Sequence, residues 1–313
     1  HRMIQHRPAS FWIAILAGLM TWVGVGPAHA QTPIPGNYAP NAFTGMKGAV
    51  LPPPGTAVIE NGTLFYRTSE FVDGDGNTTG TSASNALANR TILGYVFDFE
   101  ILGANYMPAA IFVFTNQLLR PVPGSEKDFQ VGDWILQPIA LGWHGSEWHG
   151  SVGYNVWLPT GRFNAGAPNN TGKGLWSHLL FGGATWLQST PKPWAATAQV
   201  RYEFFGKQET TDIRPGQVMT VEVSGGKEVL TGFDLGLVGF ASFQTTEETG
   251  SAPGTDTTRY RILGLGPEIN WRPTFLPGFQ AGLRASWDVE ARNSSQGFFA
   301  ILHFVYAFGL GGQ

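Results

Sequence analysis

The sequence predicts an all-β fold: a transmembrane antiparallel up-and-down β-barrel of about twelve strands. Three observations point there. The first is the stretch from Phe279 to Phe308. Phe279, Ala281, Leu283, Ala285, Trp287, Val289 and Ala291 alternate with Gln280, Gly282, Arg284, Ser286, Asp288, Glu290 and Arg292. One face is apolar and the other polar or glycine, a period of two that belongs to strands and not to helices. After Asn293-Ser294-Ser295 the alternation resumes at Phe298, Ala300, Leu302, Phe304, Tyr306 and Phe308. Both runs are long enough to cross a bilayer at a tilt.

The second observation is composition. Of 313 residues only 13% are charged, 13% are aromatic, 42 are glycine and 11 tryptophan. A soluble domain would be near a quarter charged, yet a mean hydropathy of -0.05 excludes a helical membrane bundle. A barrel resolves the conflict because each strand is apolar on one side only. The third is the sorting of connections. Short turns at 103–107, 145–146, 189–193, 225–227 and 272–278 alternate with longer segments at 69–89, 119–129, 159–175, 206–215 and 245–258. Outer-membrane barrels have short periplasmic turns and long external loops, and a soluble sandwich has no reason to sort its loops.

In chain order, residues 1–30 read as a cleaved export signal. Arg2 and Arg7 precede an apolar run from Phe11 to Val25, and Ala28-His29-Ala30 offers a small-x-small cleavage site before Gln31. The run is too short for a transmembrane helix, which needs about 20 residues. Export followed by β-patterning predicts a bacterial outer membrane. Residues 31–55 are rich in Pro and Gly, with Pro52-Pro53-Pro54-Gly55, and cannot sit inside a ladder. They are expected either as a periplasmic tail or tucked into the lumen. The barrel spans 56–308, followed by a short tail at 309–313.

Candidate strands are 56–68, 90–102, 108–118, 130–143, 147–158, 176–188, 194–205, 216–224, 228–244, 259–271, 279–292 and 296–308. Trp194, Ala196, Ala198, Val200, Tyr202 and Phe204 face away from Thr197, Gln199, Arg201 and Glu203. Phe233, Leu235, Leu237, Ala241 and Phe243 likewise oppose Asp234, Ser242 and Gln244. The registers of 130–143 and 176–188 stay ambiguous.

Where lipid-facing and lumen-facing residues alternate, solute contacts belong to the lumen. Asp98, Glu100, Gln199, Arg201, Glu203, Asp234, Gln244, Glu268, Arg284, Asp288 and Glu290 are the expected lumen-lining set. The other reading of these charges is mutual pairing, Arg201 and Arg284 against the carboxylates, bracing the barrel without touching a solute. Trp143, Trp148, Trp157, Trp176, Trp186, Trp194 and Trp271 lie near strand ends and are read as an interfacial girdle.

Cysteine is absent, which removes disulfides and thiol chemistry. A net charge of -3 gives no nucleic-acid signal. Trp143-His144-Gly145-Ser146-Glu147-Trp148-His149 invites a Ser/His or metal reading, but it falls on a short turn and not on a lipid-facing rim. Asp73-Gly74-Asp75-Gly76-Asn77 starts like a calcium loop, then has Thr78 where Gly and Ser84 where Glu would be needed. No enzyme and no cofactor is expected.

Several segments together resemble the outer-membrane "meta-pathway of phenol degradation" family of transporter barrels. They are Lys47 to Gly55, Gly142-Trp143-His144, Leu158 to Gly161 with Asn170-Thr171-Gly172, Gly236 to Phe240 with Gln244-Thr245-Thr246, and Gly264 to Pro267. The resemblance implies an outer-membrane barrel passing hydrophobic or aromatic compounds, and it carries no assigned site residues. The chain departs from the usual pattern by continuing past Phe308, so the assembly machinery is expected to read the last strand internally.

The expected function is therefore uptake of small hydrophobic or aromatic solutes by a monomer in the lipid bilayer. External loops 69–89, 159–175 and 245–258 would capture the solute. The competing classes are a structural or adhesive barrel with a closed lumen, a lipid-acting enzyme, which would need a lipid-facing serine–histidine pair, and a secreted soluble sandwich.

Overall fold

The computed structural model describes residues 36–120, 129–165, 167, 169–250 and 258–309. The expected export signal, Gln31 to Pro35 and the tail beyond Gly309 lie outside the described residues, as do parts of the loops expected at 119–129, 159–175 and 245–258.

Among the described residues twelve long strands follow one another. They are β1 Thr56–Val72, β2 Thr78–Val96, β3 Ala109–Arg120, β4 Trp134–His144, β5 Trp148–Leu158, β6 Ser177–Leu187, β7 Trp194–Phe205, β8 Val218–Leu230, β9 Phe233–Gln244, β10 Arg261–Trp271, β11 Phe279–Arg292 and β12 Ser294–Phe308. Each is antiparallel to the next. β12 returns to β1 through a ladder from Ala57↔Phe308 to Val72↔Ser294, so the sheet closes into a barrel with no free edge.

The barrel is inside out relative to a water-soluble protein. On β7, Thr197, Gln199, Arg201 and Glu203 are buried while the outward Val200 is 46% exposed. On β10, Glu268 and Asn270 are buried and the outward Leu265 is 52% exposed. Such a surface is stable only where something apolar covers it, which a bilayer does.

Glycines make room for the large polar side chains inside. One rung of the sheet reads Arg90–Gly62–His303–Gly282–Asn270 across β2, β1, β12, β11 and β10. A Cβ on Gly62 would stand 3.1 Å from Arg90 Nε, and one on Gly282 would overlap the His303 ring. Each bulky residue thus leans over a glycine on the neighbouring strand.

Three boundaries differ from expectation. The segment expected as the loop 69–89 is strand: β1 and β2 continue to a turn of only Asp73 to Asn77. Its Ser, Thr and Asn content reads as loop by composition, but strands rising above the bilayer are wetted on both faces. The turn expected at 225–227 lies instead at Thr231-Gly232, where Gly232 has φ +75°. Gly225 and Gly226 stay in an unbroken ladder with Leu237 and Gly236. Finally β2 ends at Val96, and 97–108 forms a short hairpin in which Glu100 and Ile101 pair with Asn105 and Ala104.

The ambiguity of 130–143 also has a cause. Gln137-Pro138 is a bulge: the β4–β5 register shifts between Leu136 and Ile139. Ile135 is buried before it, and Ala140 and Gly142 after it. The inward parity changes at the bulge, so no single alternation fits the strand.

Candidate functional site

Residues 36–55 run down the inside of the barrel as a strap and reach β1 at the short-turn rim. Proline and glycine leave it without a ladder of its own, so its backbone groups are met by wall side chains. The Glu203 carboxylate accepts from the backbone N–H of Asn37 at 2.9 Å and from that of Tyr38 at 3.3 Å. Glu222 accepts from the Tyr38 hydroxyl at 2.6 Å, from the Asn41 N–H and from the Thr44 hydroxyl, and pairs with Arg201 Nε at 2.8 Å. Lower down, the Met46 N–H donates to Glu268 at 2.8 Å, and Arg284 donates to the carbonyls of Asn41, at 2.7 Å, and Thr44. Gln199 Nε2 donates to the Gly48 carbonyl at 2.8 Å, and Lys47 meets Asp234 at 3.2 Å. Arg272 also pairs with Asp234, leaving that carboxylate bound on two sides.

The sequence-derived candidates therefore divide. Gln199, Arg201, Glu203, Asp234, Glu268 and Arg284 are brought together around the strap, all buried. Arg284 Nε lies 3.7 Å from Glu268, so Arg201 and Arg284 each have a carboxylate partner while also holding the strap. Asp288 is buried higher on β11, where its carboxylate accepts from the Gly297 N–H at 2.8 Å. Gln244 is half-buried at the long-loop end of β9. Glu290 stands at that rim, pairing with Arg261 and Arg292.

Asp98 and Glu100 are corrected: both are exposed, in the 97–108 hairpin below the end of β2. The alternation of Leu93, Tyr95, Phe97, Phe99 and Ile101 continues past the barrel wall, and periodicity alone does not say where a wall stops. Trp157 is a second correction. It is 4% exposed and faces inward with Ser151 and Asn155, whereas Trp148, Trp176 and Trp194 are at least half exposed at strand ends. Glu222 and Lys173 were missed by the sequence reading. The parity of β8 marks Glu222 as inward, together with Thr220 and Ser224; no local signal marks Lys173.

Beside the strap, towards the long-loop rim, lies a cavity of about 190 Å³. Its apolar wall is formed by Ala39 and Phe43 of the strap with Leu64, Val113, Ile135 and Trp157 of the barrel. Arg90 lines it with its guanidinium 3.9 Å from the centroid of the Phe43 ring. Asp133 and Lys173 line it near the rim. Asp133 accepts the N–H groups of Gly161, at 3.0 Å, and Lys173, at 2.9 Å, while burial pushes its carboxyl up. The Lys173 ammonium donates to the Gly36 carbonyl, and burial pushes it down to about 8. For scale, an apolar cavity of roughly 150 Å³ holds benzene.

His144 and His149 face each other across the β4–β5 turn, ring centroids 5.6 Å apart. Asp73 closes its own turn by accepting the N–H groups of Asp75, at 3.0 Å, and Asn77, at 2.8 Å.

A crystal structure of an outer membrane channel from Pseudomonas putida F1 is similar, with a TM-score of 0.71 at 17% identity over 87% of this chain and 100% of that one. It shares the fold. The β domain of the Bordetella autotransporter BrkA gives 0.44 at 10% identity, over 80% of this chain and 100% of that one. The Pseudomonas putida toluene transporter TodX gives 0.40 at 9% identity, over 82% and 89%. At those scores neither adds to the comparison. No curated protein matches the chain. Residues 62–304 match the family described as "Putative MetA-pathway of phenol degradation", and with more than half its length matched the chain belongs to that family.

Proposed function

We propose that this protein is an outer-membrane channel for uptake of small hydrophobic or aromatic compounds. The observation that carries this reading is the cavity of about 190 Å³, walled by Phe43, Leu64, Val113, Ile135 and Trp157, inside a barrel whose outer face is apolar. Its volume and wall suit one aromatic ring. Solute enters between the loops at the long-loop rim, rests against Phe43 and Trp157, and passes down when the strap shifts. The lumen charges then hold and guide the strap, and the solute meets mainly its apolar side. The family's description and the likeness to the Pseudomonas putida channel support the membrane setting. Assembly into the outer membrane uses β12, whose outward Phe298, Leu302, Phe304 and Phe308 end the barrel.

A second reading rests on a specific observation as well. The strap crosses the lumen on hydrogen bonds to buried charged side chains of the wall, as it would in a structural barrel kept closed. Conductance of the refolded mature protein in planar bilayers, beside a variant beginning at Thr56, separates the two. A small stable conductance that rises several-fold without the strap is the expected result. No conductance from either form would leave the closed-barrel reading.

A further inference from the structure

Arg90 is placed as a charged group without a full set of partners. It projects inward from β2 over Gly62 and is 6% exposed. Its Nη2 pairs with Glu60, yet its Nε and Nη1 are buried with no hydrogen-bond acceptor among the described residues. Buried guanidinium donors are ordinarily satisfied, because an unmet donor beside a delocalised charge forfeits its hydration and receives nothing in return. The same side chain lines the ring-sized cavity, with Phe43 stacked on it. What the site lacks is an acceptor, and what the cavity admits is a ring.

We propose that Arg90 forms an anion subsite in this cavity, and that the preferred ligands are single-ring aromatic carboxylates rather than neutral aromatic hydrocarbons. The proposal rests on the channel reading above and sharpens its substrate class. The carboxylate accepts from the unpartnered guanidinium N–H groups, a charge-assisted hydrogen bond stronger than a neutral one. The ring packs between Phe43 and Trp157. Two further features favour an anion. His303 on β12 and Arg284 on β11 lie two and three strands from Arg90, beyond Gly62 of β1, with Arg284 Nη2 3.5 Å from the His303 ring nitrogens. The carboxylate at the cavity rim, Asp133, is already engaged by two backbone N–H groups. A cationic ring would have Arg90 against it.

The test is isothermal titration of the full mature protein in detergent at pH 7 with benzoate, benzyl alcohol and benzylammonium, against detergent blanks. The three probes share a ring and differ in charge. Benzoate is expected to bind at least tenfold more tightly than benzyl alcohol, and benzylammonium not at all. Arg90→Gln combined with Glu60→Gln, which removes both charges of the pair together, is expected to abolish the preference, leaving benzoate bound no more tightly than benzyl alcohol. The probe series on the unaltered protein stands by itself should that variant not fold. Benzyl alcohol binding as tightly as benzoate, or benzoate affinity unchanged in the variant, would overturn this inference and leave the channel reading intact. Failure of every ring to bind would overturn both.

Discussion

Glu222 shows at the scale of one residue how the interior is held. Its two carboxylate oxygens serve Tyr38, Asn41 and Thr44 of the strap and Arg201 of the wall, and it is wholly buried. A carboxylate in that position is tolerated because its desolvation is offset by several charge-assisted bonds. Lys173 at the rim has a different balance. Burial lowers it from 10.5 to about 8, with Glu203 and Asp133 opposing the shift. Between those two values the folded protein holds fewer protons than the unfolded chain, so this lysine makes stability rise with pH. The heat-modifiability midpoint in detergent should therefore climb from pH 8 towards pH 10.5, and Lys173→Met should flatten that slope. A slope unchanged in the variant would assign the effect to other groups.

Among the elements, the strap is the one whose conformation depends most on the others: apart from turn bonds such as Gly48 N–H to the Gly45 carbonyl, it is held by wall side chains. Gly45 is one of its close approaches to the wall: a Cβ there would overlap the Glu268 carboxylate. Gly36 is similar, with 2.6 Å from its ideal Cβ to Glu203. Gly45→Val should dislodge the lower strap and leave the twelve strands paired, since the substitution touches no ladder. Lys47, the next basic residue in the strap, then reports the change. Trypsin should cut after Lys47 several times faster in the variant than in the parent, while the heat-modified gel shift of the barrel persists. Equal cleavage rates would show that the strap tolerates the side chain in place. The β4 bulge at Gln137-Pro138 illustrates the opposite relation, an element whose irregularity is absorbed by its neighbours: β3 pairs with its upper half, Ile135 to Gln137, and β5 with both halves.

The whole molecule is organised by an exchange of polarity between inside and outside. Val200 on β7 is 46% exposed and its neighbours Gln199 and Arg201 are 2% and 5% exposed. Val200→Arg therefore moves a charge into lipid and is expected to destabilise the inserted barrel by about 2–4 kcal/mol near the bilayer midplane. Urea titration of folding into vesicles measures this. A penalty below about 1 kcal/mol, the value for interfacial positions, would move β7 out of the membrane centre. No helix among the described residues is long and apolar enough to cross a membrane; the strands supply the crossing surface.

Much of this plan was legible in the chain because a strand's side chains alternate strictly. The faces of β7, β9, β11 and β12, and with them the inward position of Gln199, Arg201, Glu203, Asp234, Arg284 and Asp288, follow from that period. The sorting of short and long connections, read from their lengths, holds from β3 to β11 and fails at the Asp73 to Asn77 turn, at the 97–108 hairpin and at Asn293. Tertiary structure alone decided the rest. Asp98 and Glu100 keep the alternation yet fall below the wall, since period marks a face and not an end. Trp157 has the side chain of a girdle residue and is buried because the parity of β5 turns it inward. The strap has no periodicity at all, so its path through the lumen comes from hydrogen bonds to Glu203, Glu222, Glu268 and Arg284, residues at least 130 positions further along the chain. The cavity beside Arg90 exists only where that strap and five strands meet, and contacts so distant in sequence leave no local pattern to read.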